Sequence, residues 1–200
     1  LNSFWLSAIA AFLAINLAIL PAYWKGRHPH DGLAQLVSLV AQAGIALPGV
    51  LIALGLAFVL LKWAPGLYFS SAALVLVYLV RFFPQAFQAI SSGVAQIPER
   101  LEEGARLLGC TPWGIFWRIL RPLLQPAVLA GWTLVFLNAV RELPATLLLR
   151  PAGFDTLAVR VWTAAAEGYY GQAAPAALLL IVLSLPLLFF IWREHKGAIS

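Results

Sequence analysis

Charge is confined to short breaks in this chain. Uncharged, predominantly apolar stretches cover residues 1–24, 32–61, 63–80, 122–140 and 168–192. About 20 such residues cross the hydrocarbon core of a bilayer as a helix, so the pattern predicts five spans. The second stretch is too long for one upright helix. Pro48 divides it, with Gln35, Ser38 and Gln42 in the first part, which predicts a tilted or broken helix with Leu47–Leu61 in the apolar core. Arg81 closes the third stretch and is read as an anchor at the end of that span. Trp5, Trp24, Trp63, Tyr68, Trp132, Trp162 and Trp192 fall mostly near stretch ends, as an interfacial aromatic belt requires.

Composition fixes the class. Of 200 residues, 62% are hydrophobic and 10% charged, against roughly 25% charged in soluble domains. So few charges cannot cover a water-facing surface. Continuous apolar runs exclude an outer-membrane barrel, whose strands alternate. The net charge of +5 is dispersed and gives no nucleic-acid footprint. The single cysteine, Cys110, forms no internal disulfide and reads as a small packing residue. There is no methionine and no leader with a cleavage site, so one part of a longer membrane protein is expected. With the loops 25–31 and 81–121 and the tail after 192 on one side, that side carries nine Lys and Arg residues and the other four. The positive-inside rule makes the richer side cytoplasmic, together with the carboxyl terminus.

One loop is more informative than the rest. In residues 97–122, IPERLEEGARLLGCTPWGIFWRILRP, Pro98 suits a first helical position, and Glu99, Glu102 and Glu103 lie near the positive end of the helix dipole with Arg106 at the negative end. Leu101, Ala105 and Leu108 form an apolar stripe, with Glu103 on the polar face. Gly109 is placed to end the helix in a left-handed conformation, and Thr111-Pro112 to start the next. Two short helices joined at a glycine are expected, in a shape suited to docking.

These residues resemble the signature of permease subunits of binding-protein-dependent ABC importers, Glu-Ala-Ala, three residues, Gly, nine residues, Ile-x-Leu-Pro. Here Glu103-Gly104-Ala105, Gly109 and Ile119-Leu120-Arg121-Pro122 keep the spacing, with Gly104 in place of Ala and Arg121 in place of Leu. Gly104 loosens the helix by about 1 kcal/mol relative to Ala. The stretch from Arg141-Glu142-Leu143-Pro144 through LLLRPAGFDTLAVRVW is similar to the carboxyl half of ferric-iron uptake permeases, with thiamine and other small-anion branches close by.

The resemblance implies an all-α integral membrane permease fold, residues 1–200 forming a single transmembrane domain that is half of a longer two-half permease. It implies a pore subunit without catalysis in a bacterial inner membrane, passing ferric iron or, alternatively, thiamine or another small solute. Implied partners are a cytoplasmic ABC ATPase dimer, a second permease half, an extracytoplasmic substrate-binding protein and membrane lipid, but no nucleic acid. No cofactor or metal is bound by this chain, and ATP and Mg belong to the ATPase. The residues implied in ATPase coupling are Glu102, Glu103, Gly104, Ala105, Arg106, Gly109, Ile119 and Pro122.

Two other readings stand beside it. No Gly-rich phosphate loop with Lys-Ser or Lys-Thr is present, so hydrolysis falls to a partner. An ion-coupled carrier needs ionisable residues within spans, and the five stretches have none. A membrane-embedded enzyme needs a catalytic pair or metal ligands at depth, and the histidines lie in a loop and the tail. Arg141 and Glu142, at the end of the fourth span, are substrate-path candidates or a structural pair. His28-Pro29-His30-Asp31 is read as a polar loop rather than a metal site, and Asp155 as the cap of a short helix through Trp162.

Overall fold

The computed structural model describes the backbone of residues 2–197 and side chains as far as Leu185, with helices and no strand among the described residues. In chain order these are α1 (Asn2–Arg27), α2 (Gly32–Ala46), α3 (Gly49–Trp63), α4 (Ser71–Ala95), α5 (Glu99–Leu107), α6 (Pro112–Val140), α7 (Pro144–Leu149), α8 (Leu157–Ala166) and α9 (Tyr170–Gly197). A 3₁₀ turn at Pro65–Leu67 links α3 to α4.

The core is the mutual packing of α1, α4 and α6. Small residues explain its closeness. Ser3, Ser7, Ala10, Ala11, Ala14, Ala18 and Ala22 recur at three- and four-residue steps down the buried stripe of α1. On α4 and α6 a β-carbon at Gly93 would lie 2.4 Å from Ala127 Cβ, and one at Gly131 would lie 2.8 Å from both Ala89 Cβ and Ile15 Cδ1. Within a bilayer the hydrophobic effect does not drive helices together, and close backbone approach supplies the attraction through dispersion. Large apolar side chains such as Phe12, Leu20, Leu39 and Phe58 face outward, as a lipid-facing surface requires.

Among the described residues three helices, α1, α4 and α6, are long and apolar enough to cross a membrane, and α2–α3 makes a fourth span if its two parts count as one. The break predicted at Pro48 is present and sharp, with the two parts bent by 110°. Pro48 removes a donor and pushes Leu47 to an extended conformation at ψ 129°. The predicted fifth span begins at Tyr170, but its apolar described part, Tyr170–Leu185, is shorter than a full crossing. The side chains of Trp192, Arg193 and Lys196 lie outside the described residues.

Two boundaries differ from expectation. The third span runs from Ser71, capped by Ser70, to Ala95, so Arg81 lies mid-helix rather than at its end. A single arginine does not stop the helix, since residues 82–98 beyond it are also uncharged. The fourth span begins at Pro112 rather than at 122, because the expected second short helix continues into it. Pro122 has no N–H to offer the preceding turn, and Phe116–Leu120 relaxes into a π-turn in which the Arg121 N–H bonds Phe116 O. Trp132 lies within α6 rather than at its end. It stacks on Phe136 at 5.1 Å inside α6.

Candidate functional site

Two polar constructions stand out against this apolar frame. The first is the 97–122 loop. Helix α5 ends as the sequence predicts: Gly109 has φ +80°, its N–H bonds Arg106 O at 2.9 Å, and Cys110 N–H bonds Ala105 O at 3.0 Å. That paired closure satisfies carbonyls the helix end would otherwise leave free. Thr111 then accepts the Gly114 N–H at 3.2 Å and Pro112 occupies the first turn of α6.

The expected apolar stripe of α5 is only partly inward. Ala105 is buried, but Leu101 is exposed, and Leu107 and Leu108 are 89% and 86% exposed beside the Gly109 turn. The inward position is taken by a charge. Glu102 is 3% exposed and accepts Tyr23 Oη at 2.6 Å and Arg27 Nε at 2.7 Å from the end of α1, with Arg27 Nη2 in ion-pair contact at 2.5 Å. Arg27 also donates to Ile97 O at 3.2 Å. Arg106 stands 3.9 Å from Glu102 and is largely exposed. Glu102 therefore faces α1, while Glu103 faces outward. A β-carbon at Gly104 or Gly109 would meet nothing within 4 Å. Ile119 is half-buried on the π-turn, and Pro122 is exposed at its end. Trp113, Phe116 and Trp117 form one aromatic cluster, with the Arg121 guanidinium 4.7 Å over Trp117. Neither Tyr23 nor Arg27 was singled out in the sequence, since nothing local marks a partner 75 residues away.

The second construction lies between α4, the α2–α3 break and the end of α6. Arg81 Nη1 donates to Gly44 O and Leu47 O, both at 3.1 Å, and so caps the carbonyl end of α2 where a positive charge is favoured. Glu142 Oε1 accepts the Ala145 N–H at 3.3 Å at the start of α7. Tyr78 Oη and Thr146 Oγ1 are 2.5 Å apart, and Asn138 donates to Gln85 at 2.9 Å. Of the two path candidates, Glu142 joins this cluster. Arg141 turns away and borders a cavity of about 370 Å³ with Leu180, Ile181, Ser184 and Leu185 of α9. The positions 78, 81 and 85 share one helix face at i, i+3, i+7 spacing, a signal the sequence held.

Other polar candidates have structural partners. Asp31 caps α2 through the Leu33 N–H at 3.1 Å and accepts Trp24 Nε1 at 3.2 Å, while His28 stacks on Trp24 at 4.5 Å. Asp155 does not cap α8. Thr156 does, through the Val159 N–H, and Asp155 pairs with Arg150.

A sequence model of the binding-protein-dependent transport system inner membrane component matches residues 5–193. Among curated relatives, the Fe(3+)-transport system permease protein FbpB 2 of Haemophilus influenzae is 32% identical over 183 residues, covering 92% of this chain and 36% of its own length. The chain thus spans about a third of that relative. PhnV of Salmonella typhimurium, named as a 2-aminoethylphosphonate transport system permease, is 27% identical, with 95% and 73% covered. In fold the chain is similar to an inward facing structure of the MetNI methionine ABC transporter, with a TM-score of 0.78 at 16% identity, covering 98% of this chain and 92% of that one.

Proposed function

The chain belongs to the binding-protein-dependent transport system inner membrane component family, and on that premise we propose that it forms one half of the pore of an ABC importer, passive itself and driven by ATPase subunits that dock on α5. The observation that carries this reading is the tip of the 97–122 loop. Leu107 and Leu108 are presented almost fully to solvent beside a rigid glycine turn, on a helix whose other face is pinned by the buried Glu102. Leaving a leucine unburied forgoes about 2 kcal/mol, so two side by side mark a surface that a partner covers. Glu103, exposed next to them, pairs with a basic group on that partner. The loop and carboxyl terminus are cytoplasmic in this reading, as the charge count requires. With Arg81 inside α4 and Arg118 and Arg121 inside α6, six basic residues remain at the span ends and loops of that side against four.

Ferric iron is the first substrate choice, supported by the relative named for Fe(3+) transport and by the Arg141-Glu142 stretch. Relatives named for other cargo make 2-aminoethylphosphonate the alternative to test, beside thiamine. A second permease half and an extracytoplasmic binding protein complete the assembly, with ATP and Mg held by the ATPase. The full-length permease, reconstituted with its ATPase and cognate binding protein, is expected to take up ferric iron in preference to 2-aminoethylphosphonate or thiamine. Uptake of either organic solute and not of iron would reassign the substrate.

A further inference from the structure

Arg81 stands at the middle of an apolar membrane helix, where an arginine without partners is costly and usually functional. Its Nη1 serves the α2–α3 break, but Nε is buried with no acceptor. Glu142 lies on the far side of Gly49. Arg81 Nε and Glu142 Oε1 lie 3.4 and 2.9 Å from the point where a β-carbon on Gly49 would sit, so both border the space that this glycine leaves empty. No direct ion pair joins them among the described residues.

Their neighbours explain why this gap is unusual. Residues 78, 81 and 85 of α4 share one face, and residues 138, 142 and 146 run antiparallel to them at four-residue steps. The outer rungs of this ladder are closed, Tyr78 to Thr146 at 2.5 Å and Gln85 to Asn138 at 2.9 Å. The charged rung between them is open. It also lies where the chain is built in movable pieces. Helix α3 meets α2 at a 110° bend and packs mainly on the short helix α7, whose first turn Glu142 caps, whereas Arg81 belongs to the central helix α4. Gly44 backs onto the Val80 carbonyl, which Pro84 deprives of its helical donor, so α4 is also weakened one step from Arg81.

We propose that Arg81 and Glu142 are the two halves of an intramembrane latch, open in this structure, which closes across Gly49 in another state of the transport cycle. The proposal rests on the permease reading. Arg81 acts as a positioning residue: it holds the α2–α3 break in one state and exchanges that hold for the carboxylate in the other. A β-carbon at Gly49 would lie 2.9 Å from Glu142 Oε1 and 3.4 Å from Arg81 Nε, so the glycine leaves the rung room to close and a large side chain there would occupy it.

The test uses the full-length permease assembled with its ATPase, with its native cysteines, Cys110 among them, replaced by serine. In the Arg81→Cys/Glu142→Cys variant, oxidative disulfide formation is expected to be at least tenfold faster with ATP and vanadate than without nucleotide. Equal rates in both states overturn the latch. Because that variant removes both charges, Gly49→Leu in the otherwise native chain gives an independent reading. It should insert and bind the ATPase but lower ATP hydrolysis by the complex at least tenfold, and hydrolysis at the wild-type rate would overturn the proposal. A wild-type chain that co-purifies with no ATPase removes the functional reading itself. Normal assembly with nucleotide-independent cross-linking removes only the latch.

Discussion

Glu102→Ala probes the link between the coupling helix and the membrane domain. The wild-type carboxylate is 3% exposed and takes two short hydrogen bonds, from Tyr23 Oη and Arg27 Nε, with Arg27 Nη2 in ion-pair contact at 2.5 Å. Truncating one side of a buried ion pair costs about 3–5 kcal/mol, because the remaining charge is left uncompensated. Arg27 has a partial fallback, since Glu99 lies 4.0 Å away and is itself well exposed, so the lower end, about 3 kcal/mol, applies. Helix α5 has only nine residues and few buried contacts besides Ala105. A helix that short is not stable alone. The loss therefore falls on the local opening of α5 rather than on the whole bundle, and about 3 kcal/mol corresponds to roughly a hundredfold shift in that equilibrium. Hydrogen exchange on the full-length permease should show α5 amides losing protection by about that factor, with α1 and α4 unchanged. Exchanging the charges, Arg27→Glu with Glu102→Arg, should restore part of the protection. If α5 protection in Glu102→Ala stays within about threefold of wild type, the buried pair does not hold this helix.

Gly109→Arg should insert normally yet lose ATPase co-purification. Its left-handed backbone costs a side chain about 1–2 kcal/mol, and a bulky cation would project beside Leu108, whereas Gly109→Ala, with nothing within 4 Å of its β-carbon, should keep most binding. Glu103→Lys should weaken the same assembly more mildly, chiefly through a slower on-rate measured by surface plasmon resonance. Gly93→Ala, which drives a β-carbon to 2.4 Å from Ala127 Cβ, should lower thermal stability of the purified permease by about 1–3 kcal/mol, and an unchanged melting temperature would mean that α4 and α6 are less tightly packed than described. In intact cells, cysteines placed in 25–31 or 97–121 should resist an impermeant thiol reagent and one in 150–167 should react. The opposite labelling would reverse the orientation.

How much of this could be read from the chain depended on whether the deciding physics was local. The Gly109 turn, the Thr111-Pro112 start and the break at Pro48 are set by backbone chemistry within a few residues, and all three are present. The span boundaries at Arg81 and at Pro112 differ from the pattern of charges because a charge whose partners come from elsewhere in the fold does not end a helix. Arg81 sits inside a helix since the α2 carbonyls supply its partners, and those come from 34 and 37 residues away. Glu102 likewise has the composition of a surface residue, and only the fold brings Arg27 and Tyr23 to it. Leu107 and Leu108 show the reverse: periodicity places Leu108 on one apolar stripe with Ala105, but only Ala105 is buried, because a nine-residue helix pinned through Glu102 has no core on the other side to cover Leu108.

The central claim is that the exposed end of α5 is the surface an ATPase covers. The direct measurement places a photo-crosslinking residue at position 108 of the full-length permease in native membranes, with position 162 on α8 as the control. The account predicts a covalent adduct with an ATP-binding subunit from position 108 and none from position 162. An ATPase adduct from position 162, or none from position 108 while the complex is intact, would contradict it.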